Sequence, residues 1–312
     1  MVNDSSPWGR ANEMEPLRVS ALRSVDLGVT DVAASAEFYS AIWRLERVAS
    51  ESASIYLRGT GPAHHILALH EARAPAILKV TFQASDRDTV DALHARASGL
   101  GVADLGQPEA VQGPGGGYGF EFGDREDRLL RVVADDETHA DTTETADHPT
   151  KLSHAVFNSA EVDEATRYYS DVLGFTLSDR TRIMDFIRCN RDHHSIAFAH
   201  AAGSTLNHIA YEMPDLDSVM QGAGRLRDAG YPIEWGVGRH GPGANVFAYF
   251  IGPDDVVIEY TGEVDQVDDD YPTGMPEDWT WPPGRVDRWG VSGPPSKRLH
   301  EAQQRVMFGG AT

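Results

Sequence analysis

The sequence predicts an α+β protein of four tandem βαβββ modules, paired into two barrel-like domains. The second half of the chain repeats the first at constant spacing, and each half opens twice with a short alternating strand followed by a helical segment. A length of 312 residues is also enough to bury two cores.

The repeat can be followed residue by residue. His193-His194-Ser195-Ile196-Ala197-Phe198 has a counterpart in His64-His65-Ile66-Leu67-Ala68-Leu69. Leu206–Tyr211 aligns with Ile77–Phe82, Val257–Tyr260 with Leu129–Val132, and Ser153–Ala155 with Val25–Leu27. His194 and His208 are 14 positions apart, as are His65 and Lys79. Opening strands are expected at Ser24–Val29, Leu78–Ala84, Ser153–Phe157 and Asn207–Met213. After the third of these, Val162, Ala165, Tyr169 and Val172 recur at helical spacing, with Gly174 placed as a stop. After the fourth, Val219, Ala223 and Leu226 share a face and Gly230 is the stop. Ser195–Ala199 and Ala248–Ile251 are among the strands that close the units.

The chain divides accordingly. Residues 1–17 read as a flexible N-terminus, 18–135 as a metal-free domain, and 136–150 as an acidic, Thr-rich linker that stays solvated. Residues 151–264 form the metal-binding domain. The tail, 265–312, carries Trp279, Trp281 and Trp289, which water solvates poorly, so it should pack on the body or on a neighbouring subunit, and a homo-oligomer is expected.

Composition narrows the function. A net charge of −21 and a pI near 4.9, with no basic patch, argue against nucleic-acid binding. No apolar run approaches the roughly 18 residues that span a bilayer, and the first residues lack the pattern of a secretory leader, so a cytoplasmic enzyme with no membrane partner is expected. The single cysteine, Cys189, sits in an apolar stretch and reads as an inert core thiol.

His154, His208 and Glu259 form the chemical constellation. Each falls on a predicted strand of the second half, and inward-pointing side chains of neighbouring strands in a curved sheet can meet at one point. Two imidazoles and a carboxylate on one face of a metal leave positions for a bidentate substrate and O₂, the arrangement suited to Fe(II), with Mn(II) as an alternative. Any one of these residues alone is more often structural. The first half, however, has Asp26, Lys79 and Arg131 at the matching positions, a set that cannot hold a cation because two members are cationic. One copy is metal-competent and the other is scaffold.

The span from about Arg18 to Val264 resembles the type I extradiol catechol dioxygenases of the vicinal oxygen chelate superfamily. Gly238-Arg239-His240, then Tyr249, Pro253 and Glu259, follow that family's C-terminal signature. The resemblance implies cleavage of a catechol-type aromatic next to its diol with both atoms of O₂. It also implies His154, His208 and Glu259 as iron ligands, His194 as the acid–base histidine, and His240 and Tyr249 as residues contacting substrate or oxygen species. Ala248, Gly252 and Asp255 depart from the signature, which bears on the turn and the pocket wall. His193 is expected to point away from the site by strand alternation, and His64 and His65 to be structural. Two other readings are a non-redox, glyoxalase-like lyase or isomerase, and a small-molecule binding protein of the same fold.

Overall fold

The computed structural model describes residues 16–309, so positions 1–15 of the expected flexible N-terminus and the last three residues lie outside the described chain. The first half runs β1 (Ala21–Val29), α1 (Val32–Glu37) continued by a π-turn (Phe38–Ile42), β2 (Glu46–Glu51), β3 (Ser54–Arg58) and β4 (Leu67–Glu71). It continues with β5 (Ala76–Gln83), α2 (Arg87–Gly99), β6 (Glu109–Ala110), β7 (Tyr118–Gly123) and β8 (Leu129–Ala134). The second half repeats the order with β9 (Lys151–Ser159), α3 (Val162–Leu173), β10 (Thr176–Arg180), β11 (Met184–Arg188) and β12 (Ile196–His200). After these come β13 (Leu206–Glu212), α4 (Leu216–Asp228), β14 (Trp235–Arg239), β15 (Val246–Ile251) and β16 (Val257–Gly262). The tail adds α5 (Lys297–Ala302) and β17 (Met307–Phe308).

Each pair of modules forms one sheet, and the two sheets share a topology. Their orders are β2-β3-β4-β1-β5-β8-β7-β6 and β10-β11-β12-β9-β13-β16-β15-β14, with β17 added beside β5. The outer strands of each do not pair, so the sheets stay open rather than closing into barrels. Three of the four module helices, α1, α2 and α4, begin where an aspartate caps them: Asp31, Asp86 and Asp215 accept from the backbone N–H of Ala34, Thr89 and Ser218. Gly174 ends α3 in the left-handed region. Among the described residues no helix is long and apolar enough to cross a membrane.

Alternation along the strands assigns the two faces. Ala155 and Phe157, Ile209 and Tyr211, Ala248 and Phe250, and Ile258 and Tyr260 all enter one continuous core with their first-half equivalents. The intervening residues line the opposite, concave face. Trp43 binds the halves together: it is fully buried, stacks on Tyr260 at 3.7 Å, and its carbonyl accepts from the Tyr260 hydroxyl at 2.8 Å.

Arg128, only 1% exposed, is a second clamp between the halves. Its Nη1 donates to Asp124 at 2.9 Å, and its Nη2 donates to Glu126 at 2.6 Å and to the Asn158 carbonyl at 2.9 Å. The guanidinium lies over Phe157, Phe198 and the tail's Phe308. Arg128→Met would leave the buried Asp124 carboxylate without its cation, held only by two backbone N–H groups and the Tyr169 hydroxyl, which is expected to cost about 3 kcal/mol. A fall in the urea midpoint with unchanged metal per folded chain is the expected result; an unchanged midpoint would refute the clamp.

The tail packs on the chain's own body, through α5 and β17. Cys189 is buried, and burial pushes its thiol up to about 12, as befits an inert core residue.

Candidate metal centre

His154, His208 and Glu259 lie on β9, β13 and β16, the three adjacent strands at the centre of the second sheet. In the ladder, His154 and Glu259 both stand opposite Ala210, and His208 is two residues along the same strand on the same face. The position beneath the trio therefore carries only a methyl group. His208 Nε2 is 3.0 Å and His154 Nε2 3.3 Å from Glu259 Oε2, and the two imidazole nitrogens are 3.4 Å apart. All three side chains are buried.

This donor set fits a divalent cation. Glu259 Oε2 is buried and no hydrogen bond satisfies it, although two ring nitrogens face it. His208 donates its Nδ1–H to Asn207 Oδ1 at 2.8 Å, which leaves the Nε2 lone pair toward the trio. The tail's Gln303 donates to the same Asn207 oxygen at 2.8 Å. Three mutually adjacent ligands about 2.1 Å from a metal stand about 3.0 Å apart, close to the spacings found here. The charge balance agrees. Burial alone would raise the Glu259 carboxyl, but His154 and His208 outweigh it and hold the group well below the carboxylate range.

The other residues named from the sequence surround this point. His194 packs on His154 with ring centres 4.3 Å apart, and burial together with neighbouring imidazoles holds it well below the usual histidine range. His240 Nε2 is 3.0 Å from the Tyr249 hydroxyl, which is itself 3.5 Å from His208 Nε2. Burial brings His240 down to about 4, and burial beside Glu259 holds the Tyr249 phenol protonated. His240 is thus a neutral ring and Tyr249 an O–H donor near neutral pH.

Apolar residues flank the trio on both sides. Val156, Ala197 and Ala199 with Met184 and Phe186 form one small cluster. Phe247, Tyr249, Ile251 and Val257, with Trp235 and Leu299 of the tail helix, form the other. Surface grooves of about 430 Å³ near Arg44 and near Asp31 are lined by other residues and do not reach the trio.

Two sequence expectations are resolved differently here. His193 does not point away: its Nδ1 is 3.0 Å from His194 Nδ1. Alternation fails because both histidines precede β12, which starts at Ile196. The departures at Ala248, Gly252 and Asp255 lie off the pocket. Ala248 faces the core, Asp255 meets Arg305, and a Cβ on Gly252 would lie 3.1 Å from Ile258 and 3.4 Å from Phe38 of the first half.

The matching concave face of the first half is closed by charge. Lys79 Nζ lies 3.5 Å from Asp26 and 3.4 Å from Glu121, Arg131 also pairs with Glu121, and His70 lies 3.1 Å from Asp26. The Lys79 ammonium thus occupies the place of the opposite half's donor trio. Lys79→Ala is expected to lower stability by about 1–2 kcal/mol, a partly buried pair being discounted for solvent, while metal content and turnover stay as in wild type. A thermal melt with metal analysis checks this; metal loss in the variant would contradict the division between the halves.

Fold and trio together describe a chain of duplicated βαβββ modules whose candidate metal donors are confined to the second sheet. Residues 151–260 match the Glyoxalase/Bleomycin resistance protein/Dioxygenase superfamily. The crystal structure of the Mn(II)-bound glyoxalase from Novosphingobium aromaticivorans is similar at 36% identity, TM-score 0.82, over 90% of this chain and 94% of that one. The chain belongs to this superfamily. Among curated relatives, Metapyrocatechase 2 of Cupriavidus necator is 34% identical over 44% of this chain and 41% of its own length. The Biphenyl-2,3-diol 1,2-dioxygenase of Metapseudomonas furukawaii is 33% identical over 38% of this chain and 42% of its own. These matches span about two fifths of the curated relatives.

Proposed function

We propose that the protein is an extradiol dioxygenase that opens a catechol-type aromatic next to its diol, using O₂ and Fe(II) held by His154, His208 and Glu259. The observation that carries this is the buried two-histidine, one-carboxylate trio with His194 and the His240–Tyr249 pair within reach of it. The dioxygenase relative supports the same reading.

Bound there, iron supplies electron transfer between a chelated diol and O₂ and favours the deprotonated diol. The chain's own residues do the rest. His194, neutral and buried, can take a proton from a substrate hydroxyl and return it later. Tyr249 keeps its proton and donates toward oxygen atoms that gain charge, and His240 orients it. The apolar flanks seat a flat ring and exclude water.

A glyoxalase-like lyase or isomerase is the second reading, favoured by the similarity to the Mn(II)-bound glyoxalase along nearly the whole chain. Anaerobic loading with Fe(II) or Mn(II), then O₂ uptake with a panel of catechols, separates the two. Stoichiometric O₂ consumption with coloured ring-opened products is expected. A fully loaded protein that consumes no O₂ with any catechol would favour the lyase or isomerase.

The same reading places the enzyme in the cytoplasm. It also includes a homo-oligomer, with the partly exposed Trp281, Trp289 and Val291 of the tail available to a second copy; sedimentation velocity tests it.

A further inference from the structure

His193 is fully buried beside the site, yet the steps above do not use it. Its Nε2 lies 2.7 Å from Oδ2 of Asp179, another fully buried group, and its Nδ1 faces His194 Nδ1 at 3.0 Å. Asp179 is held in turn by the tail: the Gly274 N–H donates to Oδ1 at 2.8 Å, and the Tyr271 hydroxyl donates to Oδ2 at 3.3 Å. A Cβ on Gly243, whose φ is +72°, would come within 3.0 Å of His193 Nδ1 and 3.1 Å of His194 Nδ1, so only glycine lets this loop cover the pair.

The proton positions follow from donor–acceptor rules. A carboxylate only accepts, so the hydrogen facing Asp179 sits on His193 Nε2. In a neutral His193 the other nitrogen, Nδ1, is then an acceptor. The hydrogen between the two rings belongs to His194 Nδ1, and His194 Nε2 is left with a free lone pair.

The duplication provides an internal control. His64 and His65 repeat the pair, with the same 3.0 Å between Nδ1 atoms. Tyr56 flanks His65 as Phe186 flanks His194, with ring centres 5.1 and 5.2 Å apart. Across equivalent bulges Tyr56 pairs with Ala49, and Phe186 pairs with Asp179. The first half therefore has alanine where the second has the carboxylate. The nearest acid to His64 is Glu137, at 3.9 Å and largely exposed. The paired histidines are common to both halves, whereas the buried aspartate accompanies only the donor trio.

We propose that Asp179 and His193 are positioning residues that hold His194 in its Nδ1–H form and present Nε2 to the substrate as the base, with Tyr271 tying the tail to this chain of hydrogen bonds. The inference rests on the dioxygenase reading. In the step concerned, a substrate O–H breaks and its proton goes to the His194 Nε2 lone pair, while the Nδ1–H bond to His193 persists. The return step reverses this.

The test combines two readouts: ¹⁵N NMR of ring-labelled, metal-free protein, which reports the His194 tautomer, and steady-state kinetics of the iron-loaded enzyme. In Asp179→Asn the amide can donate to His193 Nε2, reversing both rings. The expected result is a switch of His194 to the Nε2–H form and a kcat lower by roughly 10²–10⁴-fold, with KM and metal content within about twofold. His193→Gln can still accept from His194 and donate to Asp179, so it should keep the wild-type tautomer and stay within about tenfold in kcat, whereas His193→Leu should fall as far as Asp179→Asn. An unchanged tautomer in Asp179→Asn, or equal losses in the Gln and Leu variants, would overturn the proposal. A switched tautomer with undiminished kcat would support the relay and instead remove His194 from the chemistry.

Discussion

His208→Ala is expected to yield a folded protein that cannot retain its metal, with turnover at background. The side chain supplies one of three donors, and Asn207 and Gln303 aim its Nε2 at Glu259 from behind. Loss of an outer partner of this kind typically lowers metal affinity by about 10–100-fold; loss of the donor itself should exceed that. The fold should survive, because the core of this sheet is built by Ile209 and Tyr211 on the opposite face. Anaerobic iron loading followed by metal analysis and a denaturant melt checks both halves of the prediction. Full occupancy in the variant would remove His208 from the donor set.

His194→Phe should behave oppositely, keeping iron while slowing turnover by roughly 10²–10⁴-fold, the usual scale for a lost proton-transfer group. Phenylalanine preserves the packing against His154 and Phe186, so the trio should stay in place. It removes both ring nitrogens, and with them the group that rests on His193 and is placed to exchange a proton. Single-turnover rates with bound substrate isolate this step. A variant with wild-type rates would show that the proton leaves by another route.

Most of the fold was legible because strand alternation and duplication reinforce each other. Where the half-repeats agreed, as at Asp26 and His154 or Lys79 and His208, the structure puts matching residues on strands that hold the same place in the two sheets. The three donors were readable for the same reason, each lying well inside a regular strand. The periodic signal ends where the strands end. His193 was misdirected because it lies in the turn before β12. Asp179 could not be found at all, since its contact with His193 depends on the bulge in β10 and on a tail 92 to 95 residues further on. The open edges of the sheets were equally hidden, because local sequence does not report whether two distant edge strands pair. Asn207 carries no sequence pattern either; its role appears only when Gln303 and the ring of His208 are seen converging on one oxygen.

The lysine lodged among acids in the first concave face has a consequence for how the protein comes into being. That half carries its positive charge on the chain itself, so its folding does not wait on any ion from the surroundings. Both halves share one interior through Trp43 and Tyr260, so the half that is closed by its own lysine helps to hold the opposite sheet, and the trio it carries, in place.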